Sequence, residues 1–386
     1  MSGGVDEGPS AALRRLNPGV PLSGAAGGYP GHVVSQPSLL PQLMEAATNC
    51  VRDFCRVTPG ERVLVVCEPD SDALVVASFA SAARLAGAEV VIITVEPFTA
   101  GGFDPERPST MLMGAYERAD VVIACTYFEF AHAEKTFFSS IFGSRKRVCS
   151  VLMGATPGCL VTSGRFPVAL YLEIAQRAHT FMQGCREVRY VTDRGTDITF
   201  GGPQGVAYSE PLKPGSWGIF PPMGINFYPE TSNGVFVVDE STLTGRPLAP
   251  VRISVKDNYV VAVECDSRAD EATIQAFSNG RYFMRHAVIG LNPKVRMVNA
   301  PQFERERAAG TAYLGVDGTG PQGIADRSCA GRAHLDVIFD TPTVYVDGRM
   351  MVDRRRLLVL EDPGLQDAAR AYGEPARILA QNPFIW

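Results

Sequence analysis

The pattern that most restricts the folds open to this chain is a repeated alternation of strand-like and helix-like segments between residues 39 and 184. Short, nearly continuous apolar runs recur there, at residues 62–67, 89–94, 119–125 and 146–152. Runs of this kind are typical of strands that are covered on both faces. Segments with apolar residues at helical spacing lie between them, for example at 71–86. This order predicts βαβ units and an α/β domain with a mostly parallel sheet.

The remainder of the chain follows a different pattern. After residue 187 it is rich in β-branched residues, glycine and proline, with one helix-patterned segment at 269–279. Strand-like runs occur at residues 195–200, 234–238, 250–254, 258–264, 335–339, 343–346 and 356–360. We therefore predict a flexible N-terminal arm at 1–36, the α/β domain at 37–186, and a β-rich α+β metal-binding domain at 187–386.

Composition excludes several classes of function. Apolar residues make up 46% of the 386 residues and charged residues 20%, which is ordinary for a globular protein with a large core. A net charge of −5 provides no attraction to nucleic acid or to an anionic membrane. The nine cysteines are scattered without a Cys-x-x-Cys pair, and no export signal or membrane span is visible. These features predict a cytoplasmic protein with reduced thiols.

The five histidines limit where metal chemistry can occur, since only two of them lie in the β-rich part. His334 and Asp336 are separated by one residue in a strand-like run, so both side chains should emerge on the same face. An imidazole beside a carboxylate can bind a metal, although an isolated His-x-Asp pair is weak support for a site. The 2-oxoglutarate oxygenases combine this pair with a downstream histidine, and none follows His334. His286 is therefore the candidate third ligand.

Two imidazoles and one carboxylate are compatible with two kinds of metal centre. Non-haem Fe(II) uses this set and keeps positions open for substrate and O2. A single zinc ion with the same three ligands is also chemically reasonable. The residue types alone leave both alternatives open.

A candidate substrate contact follows from the geometry of parallel sheets. The loops that contact ligands in α/β proteins follow the C-terminal ends of the strands. Tyr127 comes shortly after the strand-like run at 119–125. We therefore predict that Tyr127 contacts the substrate from a loop over a pocket between the two domains.

Several short motifs resemble the aminopeptidase T family. They are Pro59-Gly-Glu-Arg-Val-Leu-Val-Val66, Gly195-Thr-Asp-Ile-Thr-Phe200, Gly290-Leu-Asn-Pro293, Gly310-Thr311 and His334-Leu-Asp336, in that order. Individually these motifs are loose, but together they are specific, and they span about residues 39–361. The resemblance implies that family's two-domain fold and a homo-oligomer.

Departures from the family pattern change the chemistry that is expected. Members of that family hold two metal ions, and this chain has His286 where they carry a metal-binding glutamate. Tyr313 stands where they have a ligand histidine, and Gly234 stands where they have another ligand glutamate. The two-metal site is therefore expected to be lost. A histidine at the position of His286 resembles one offshoot of the family, the 2,5-dihydroxypyridine 5,6-dioxygenases.

This second resemblance implies a non-haem Fe(II) ring-opening dioxygenase of the extradiol type. Fe(II) would be bound by His286, His334 and Asp336, with O2 and a dihydroxypyridine or similar small hydroxylated aromatic as partners. Tyr313 is expected to point at the substrate and Asp317 to accept a proton. A single-metal aminopeptidase-like hydrolase is the alternative, and a binding protein that has lost the chemistry is a third possibility.

Overall fold

The computed structural model describes residues 39–95, 110–126, 144–151, 156–240, 247–265, 283–317 and 334–386. The helices are α1 Leu40–Thr48, α2 Ala73–Leu85, α3 Thr110–Arg118, α4 Pro157–Leu160, α5 Val168–Met182, α6 Gln302–Arg305, α7 Pro363–Ala369 and α8 Pro375–Ile378. A π-helix, Asn49–Phe54, continues α1, and 3-10 turns lie at Ser163–Arg165 and Leu358–Glu361.

The strands fall into two sheets. They are β1 Arg62–Cys67, β2 Glu89–Thr94, β3 Val121–Cys125, β4 Arg147–Val151, β5 Glu187–Val191, β6 Asp197–Gly201, β7 Gln204–Tyr208, β8 Ser216–Phe220, β9 Gly224–Tyr228, β10 Thr231–Glu240, β11 Pro247–Lys256, β12 Tyr259–Cys265, β13 Phe283–Gly290, β14 Ala312–Asp317, β15 His334–Phe339, β16 Thr343–Val346, β17 Arg349–Asp353 and β18 Arg356–Leu357.

The first sheet is parallel throughout and has the order β2-β1-β3-β4-β8. Every residue of β3 and β4 is buried, as expected for strands covered on both faces. This sheet and its connecting helices confirm the predicted α/β fold with a mostly parallel sheet.

Helix α2 shows how the local sequence defines the βαβ units. The Asp72 carboxylate accepts hydrogen bonds from the backbone amides of Leu74 and Val75, at 2.9 and 3.0 Å, and so caps the helix N-terminus. After the helix, Gly87 takes a φ of +84°, and a β-carbon there would lie 3.0 Å from the β-carbon of Pro59. The glycine therefore allows both the reversal into β2 and its close approach to the preceding turn.

The second sheet is antiparallel and has 13 strands. Its main path is β15-β14-β13-β12-β11-β10-β6-β5-β16-β17-β18, while β9 pairs with both β13 and β7. Helix α5 buries one face on this sheet, and its buried side chains join one core with aromatic residues of the strands, including Tyr190, Phe200 and Phe227. These features confirm the predicted β-rich α+β region.

The two regions are interleaved along the chain. We predicted a boundary near residue 187, yet β8 lies beyond it and pairs in parallel with β4 of the first sheet. The arm predicted at 1–36 and the helix predicted at 269–279 lie outside the described residues, as does a further helix that the sequence pattern predicts near residues 131–142. No helix within the described ranges is long and apolar enough to cross a membrane.

Candidate metal centre

Three neighbouring strands bring His286 and Asp336 together. His286 on β13 and Asp336 on β15 each pair with Gly315, which lies on β14 between them. The three residues therefore form one row across the sheet. This contact joins segments that are far apart in the sequence, and it depends on the register of two strand pairs.

The two side chains are close enough to share one metal ion. His286 Nε2 lies 3.8 Å from Asp336 Oδ1, and the two side chains are 18% and 28% exposed. Imidazole and carboxylate ligands lie about 2.0–2.2 Å from a transition metal such as zinc. Two ligand atoms on one such ion are therefore at most about 4.4 Å apart, and the observed separation meets this limit.

Gly315 provides the space that the His286 imidazole occupies. A β-carbon at this position would stand 2.7 Å from His286 Nε2, and closer still to Cε1 and Nδ1. The imidazole ring therefore crosses over the backbone of β14 and points towards β15. Any side chain at Gly315 would displace it, which makes the glycine part of the site.

His334, the third predicted ligand, begins β15 two residues before Asp336, and its backbone pairs with Asp317. The sequence analysis assumed that His334 and Asp336 lie in one strand, and β15 has this conformation. Alternate residues of a strand share a face. The side chains of His334 and Asp317 lie outside the described part of the molecule, as does all of Tyr127.

Tyr313 lies two residues before Gly315 on β14, so both positions are on the same face of the sheet. It is 1% exposed, and its ring meets the His286 ring edge-on with centroids 5.9 Å apart. At this distance and angle the two rings pack favourably. The Tyr313 ring thus packs against His286, a predicted metal ligand.

Two further residues near the site were not selected from the sequence. Tyr228 at the end of β9 is 45% exposed, and its ring centroid lies 6.3 Å from that of His286. Gln302 donates a hydrogen bond from Nε2 to the backbone carbonyl of Asp336, and a second to Glu306 at 3.1 Å. Tyr228 lies six residues before Gly234, which stands at the position of a ligand glutamate in the resembling family, and this proximity was the available signal.

Gly234, which stands at the position of the family's glutamate, has a structural reason to be glycine. Its φ is +130°, and a β-carbon would lie 2.9 Å from the Cα of Ile198 and closer to the carbonyl of Asp197. The close pairing of β10 with β6 therefore leaves no room for a ligand side chain. Glu230, the acidic residue nearest to Gly234 in the sequence, accepts a hydrogen bond from Gln204 at 3.1 Å.

The Gly290-Leu-Asn-Pro293 motif has a structural role. Asn292 donates from Nδ2 to the carbonyl of Ser163 at 3.1 Å and accepts from the amide of Lys294 at 2.9 Å. A β-carbon at Gly290 would lie 2.7 Å from the hydroxyl of Thr311. The motif therefore holds the turn after β13 against the segments that contain Ser163 and Thr311.

A family model described as "2,5-dihydroxypyridine 5,6-dioxygenase" matches residues 43–359. The chain belongs to this family. The match covers most of the sequence, and it confirms the resemblance that the motifs predicted. A search of curated proteins found no match.

Two solved structures share the fold. A 2,5-dihydroxypyridine dioxygenase from Pseudomonas putida KT2440 matches with a TM-score of 0.64 and 16% identity, over 82% of this chain and 97% of that one. Wild-type AmpT from Thermus thermophilus matches with a TM-score of 0.56 and 13% identity, over 82% of this chain and 99% of that one. At these identities the structures establish the fold.

Proposed function

We propose that this protein is an Fe(II)-dependent dioxygenase that opens the ring of 2,5-dihydroxypyridine or a related small hydroxylated aromatic, with O2 as cosubstrate. The observation that carries the proposal is the 3.8 Å approach of His286 Nε2 to Asp336 Oδ1, in a chain that belongs to the 2,5-dihydroxypyridine 5,6-dioxygenase family. This pair supplies an imidazole and a carboxylate at one point of a rigid sheet.

The donor set fits Fe(II). His286, His334 and Asp336 would provide two imidazoles and one carboxylate, the set that non-haem Fe(II) oxygenases use. Glycine at 234 and tyrosine at 313 leave two ligand positions of the related two-metal site without a metal-binding side chain. When bound, Fe(II) would supply the binding and reduction of O2 beside a coordinated substrate hydroxyl.

The chain's own residues would hold and orient these components. Gly315 keeps the His286 imidazole over β14, and Tyr313 packs against the edge of that ring. Tyr228 exposes an aromatic surface next to His286, where a pyridine ring could stack on it. The Arg285 guanidinium lies 5.9 Å from the Tyr228 ring centroid, so it would place a positive charge near a substrate hydroxyl that loses its proton.

The proposal keeps two of the predicted roles and changes the third. Asp317 would accept the substrate hydroxyl proton, because it directly opposes His334 across the β14–β15 pair. Tyr127 would contact the substrate from the loop after β3. Tyr313, which was expected to point at the substrate, would act by holding His286, because the structure buries its side chain.

We also propose a cytoplasmic homo-oligomer. The eight cysteines within the described residues are all free thiols, which suits a reducing compartment. Light scattering coupled to size-exclusion chromatography would measure the oligomer directly, and a monodisperse monomer would contradict this part of the proposal.

The decisive experiment combines iron binding with O2 consumption. Purified protein would be loaded anaerobically with Fe(II), mixed with 2,5-dihydroxypyridine and exposed to air, while O2 uptake and substrate absorbance are followed. We expect one O2 consumed per substrate, and we expect His286→Ala to abolish both iron retention and turnover. His179→Ala is the matched control, because His179 lies on helix α5 and its ring packs against Tyr208 of β7.

A hydrolase would give the opposite result. Cleavage of peptide amides with Zn²⁺ or Co²⁺, without O2 consumption on any dihydroxylated aromatic, would establish the single-metal aminopeptidase-like alternative. Tyr228→Ala refines the substrate assignment: we expect a raised KM with iron content unchanged, while Tyr228→Phe keeps the ring and should keep the KM.

A further inference from the structure

Three buried thiols meet inside the first sheet's core. Cys50 Sγ lies 3.8 Å from Cys55 Sγ and 3.7 Å from Cys149 Sγ, and all three sulfur atoms lie within 4.8 Å of one another. Each of these residues is 0% exposed. Cys50 and Cys55 belong to the end of the first helical segment, and Cys149 belongs to β4. These three residues are called the thiol cluster below.

The thiol cluster exists because the helix changes its winding. The amide of Cys55 donates to the carbonyl of Cys50 at 2.7 Å, five residues earlier, as in a π-helix. In an α-helix, residues five apart are rotated by roughly 140° about the axis and face different directions. The wider π turn instead stacks Cys55 over Cys50, on the side that faces β4. Single π turns are rare and occur frequently at functional sites.

The sulfur spacing matches the edge of a metal tetrahedron. Zinc–thiolate bonds are about 2.3 Å long, so two sulfur ligands of one tetrahedral ion lie roughly 3.8 Å apart. The two shortest separations in the thiol cluster are 3.7 and 3.8 Å. They are much longer than a disulfide bond, which is about 2.05 Å. Three thiolates are soft ligands and favour Zn(II) or Cu(I) over harder ions.

Electrostatics within the thiol cluster favour one negative charge, on Cys55, whereas burial disfavours a charge on the other two thiols. Burial raises the pKa of the Cys50 and Cys149 thiols. Burial also acts to raise the pKa of Cys55, but hydrogen bonds from Cys149 and Cys50 and the charge of Arg147 lower it to about 5. The Arg147 guanidinium donates to the carbonyl of Cys55 at 3.0 Å, which holds this positive charge beside the sulfur atoms.

We propose that Cys50, Cys55 and Cys149 bind one thiophilic d¹⁰ ion, Zn(II) or Cu(I), at a site separate from the centre on β13–β15. The described residues offer no fourth His, Cys, Asp or Glu within the same reach. A three-coordinate Cu(I) needs none, whereas Zn(II) needs one exogenous ligand. The bound ion replaces the remaining thiol protons, which leave to the buffer, and it ties the π-helix to β4. Binding therefore strengthens as the pH rises.

The experiment first disables the centre on β13–β15 by removing two of its three candidate ligands. In a full-length His286→Ala, Asp336→Ala variant, reduced protein would be titrated anaerobically with Zn(II) or with Cu(I) against a chromophoric competitor. X-ray absorption on the loaded protein would then count the ligands. We expect one ion per chain, three sulfur ligands at about 2.3 Å and a raised melting temperature. The number of additional light-atom ligands distinguishes four-coordinate zinc from three-coordinate copper.

Matched variants locate the site. Cys149→Ala should abolish tight binding. Cys159→Ala should leave it unchanged, because Cys159 is equally buried but contacts Ser163 at 3.3 Å outside the thiol cluster. Folded, reduced protein that stays metal-free in excess Zn(II) and Cu(I), or an absorption spectrum without sulfur ligands, would overturn the proposal. If Cys149→Ala does not fold, the ligand count of the parent variant still decides.

Discussion

The imidazole of His286 lies directly over the backbone of Gly315, on the strand that separates it from Asp336. A β-carbon at Gly315 would stand 2.7 Å from His286 Nε2. The absence of a side chain on β14 thus allows two candidate ligands from non-adjacent strands to approach each other. The glycine contributes no ligand atom, yet the geometry of the site depends on it.

Gly315→Ala should therefore weaken iron binding while the protein stays folded. The methyl group must push the imidazole away from Asp336, and disturbing the groups that orient a metal ligand typically costs about 10–100-fold in affinity. Iron retention after gel filtration and anaerobic titration would measure the loss. Gly114→Ala is the control, because a β-carbon there meets nothing within 4 Å in helix α3, and it should bind iron normally.

Tyr313 should act through packing. Tyr313→Ala would leave a cavity beside His286 and lower the free energy of unfolding by about 3–5 kcal/mol, as for other buried aromatic residues. Tyr313→Phe keeps the ring and should keep both iron and turnover. Urea unfolding and steady-state kinetics would test the pair. A large fall in kcat for Tyr313→Phe with full iron content would instead show that the hydroxyl takes part in the reaction.

Lys294 should be important for stability, because its buried ammonium group holds the C-terminal segment. The three N–H groups of Nζ are shared among four backbone carbonyls, those of Arg377, Ala380 and Asn382, at 2.7, 3.1 and 3.3 Å, and that of Ile385. Lys294→Met would leave these acceptors without their donor, and each buried unsatisfied group costs about 1–3 kcal/mol. We expect the free energy of unfolding to fall by more than about 2 kcal/mol.

The control for this prediction is an exposed lysine. Lys213 pairs with Glu210 at 2.6 Å, and its side chain is 62% exposed. Lys213→Met should change the unfolding free energy by no more than about 0.5 kcal/mol. Equal effects of the two substitutions would contradict the anchoring role of Lys294.

The Glu61–Arg147 pair should make the protein sensitive to acid. Burial acts to raise the pKa of Glu61, but hydrogen bonds from Arg147 and from the Thr58 amide outweigh it and lower the pKa below its ordinary value of 4.5. A depressed pKa means that the folded state binds fewer protons than the unfolded state. The stabilisation is therefore complete above pH 4.5 and is lost as the pH falls through the folded-state pKa.

Glu61→Gln should flatten this acid dependence, because glutamine does not titrate. The difference in acid dependence would be measured from urea unfolding midpoints between neutral and acid pH. Glu117→Gln, at an exposed position of α3, is the control. The idea is wrong if wild type and Glu61→Gln lose stability in parallel as the pH falls.

Much of the fold was predictable because the determining signals are local. Apolar runs such as 62–67 and 89–94 became β1 and β2 over the predicted residues, and Asp72 and Gly87 bound the intervening helix. Two imidazoles and a carboxylate likewise identify a candidate metal-binding set by residue type alone, whereas the choice of Fe(II) over zinc rested on the family resemblance. His286 was selected because it was the remaining histidine of the β-rich part and because it departs from a related family's glutamate.

Contacts that depend on strand register or on helix winding were not predictable. The row of His286, Gly315 and Asp336 requires two strand pairs in one particular register, and a shift of one residue would turn each side chain to the opposite face. The thiol cluster required a π turn that places Cys55 over Cys50. The sequence by itself determined which elements form and which ligand atoms are available. Only the tertiary structure decided which of them meet, because such contacts join residues that local periodicity does not connect.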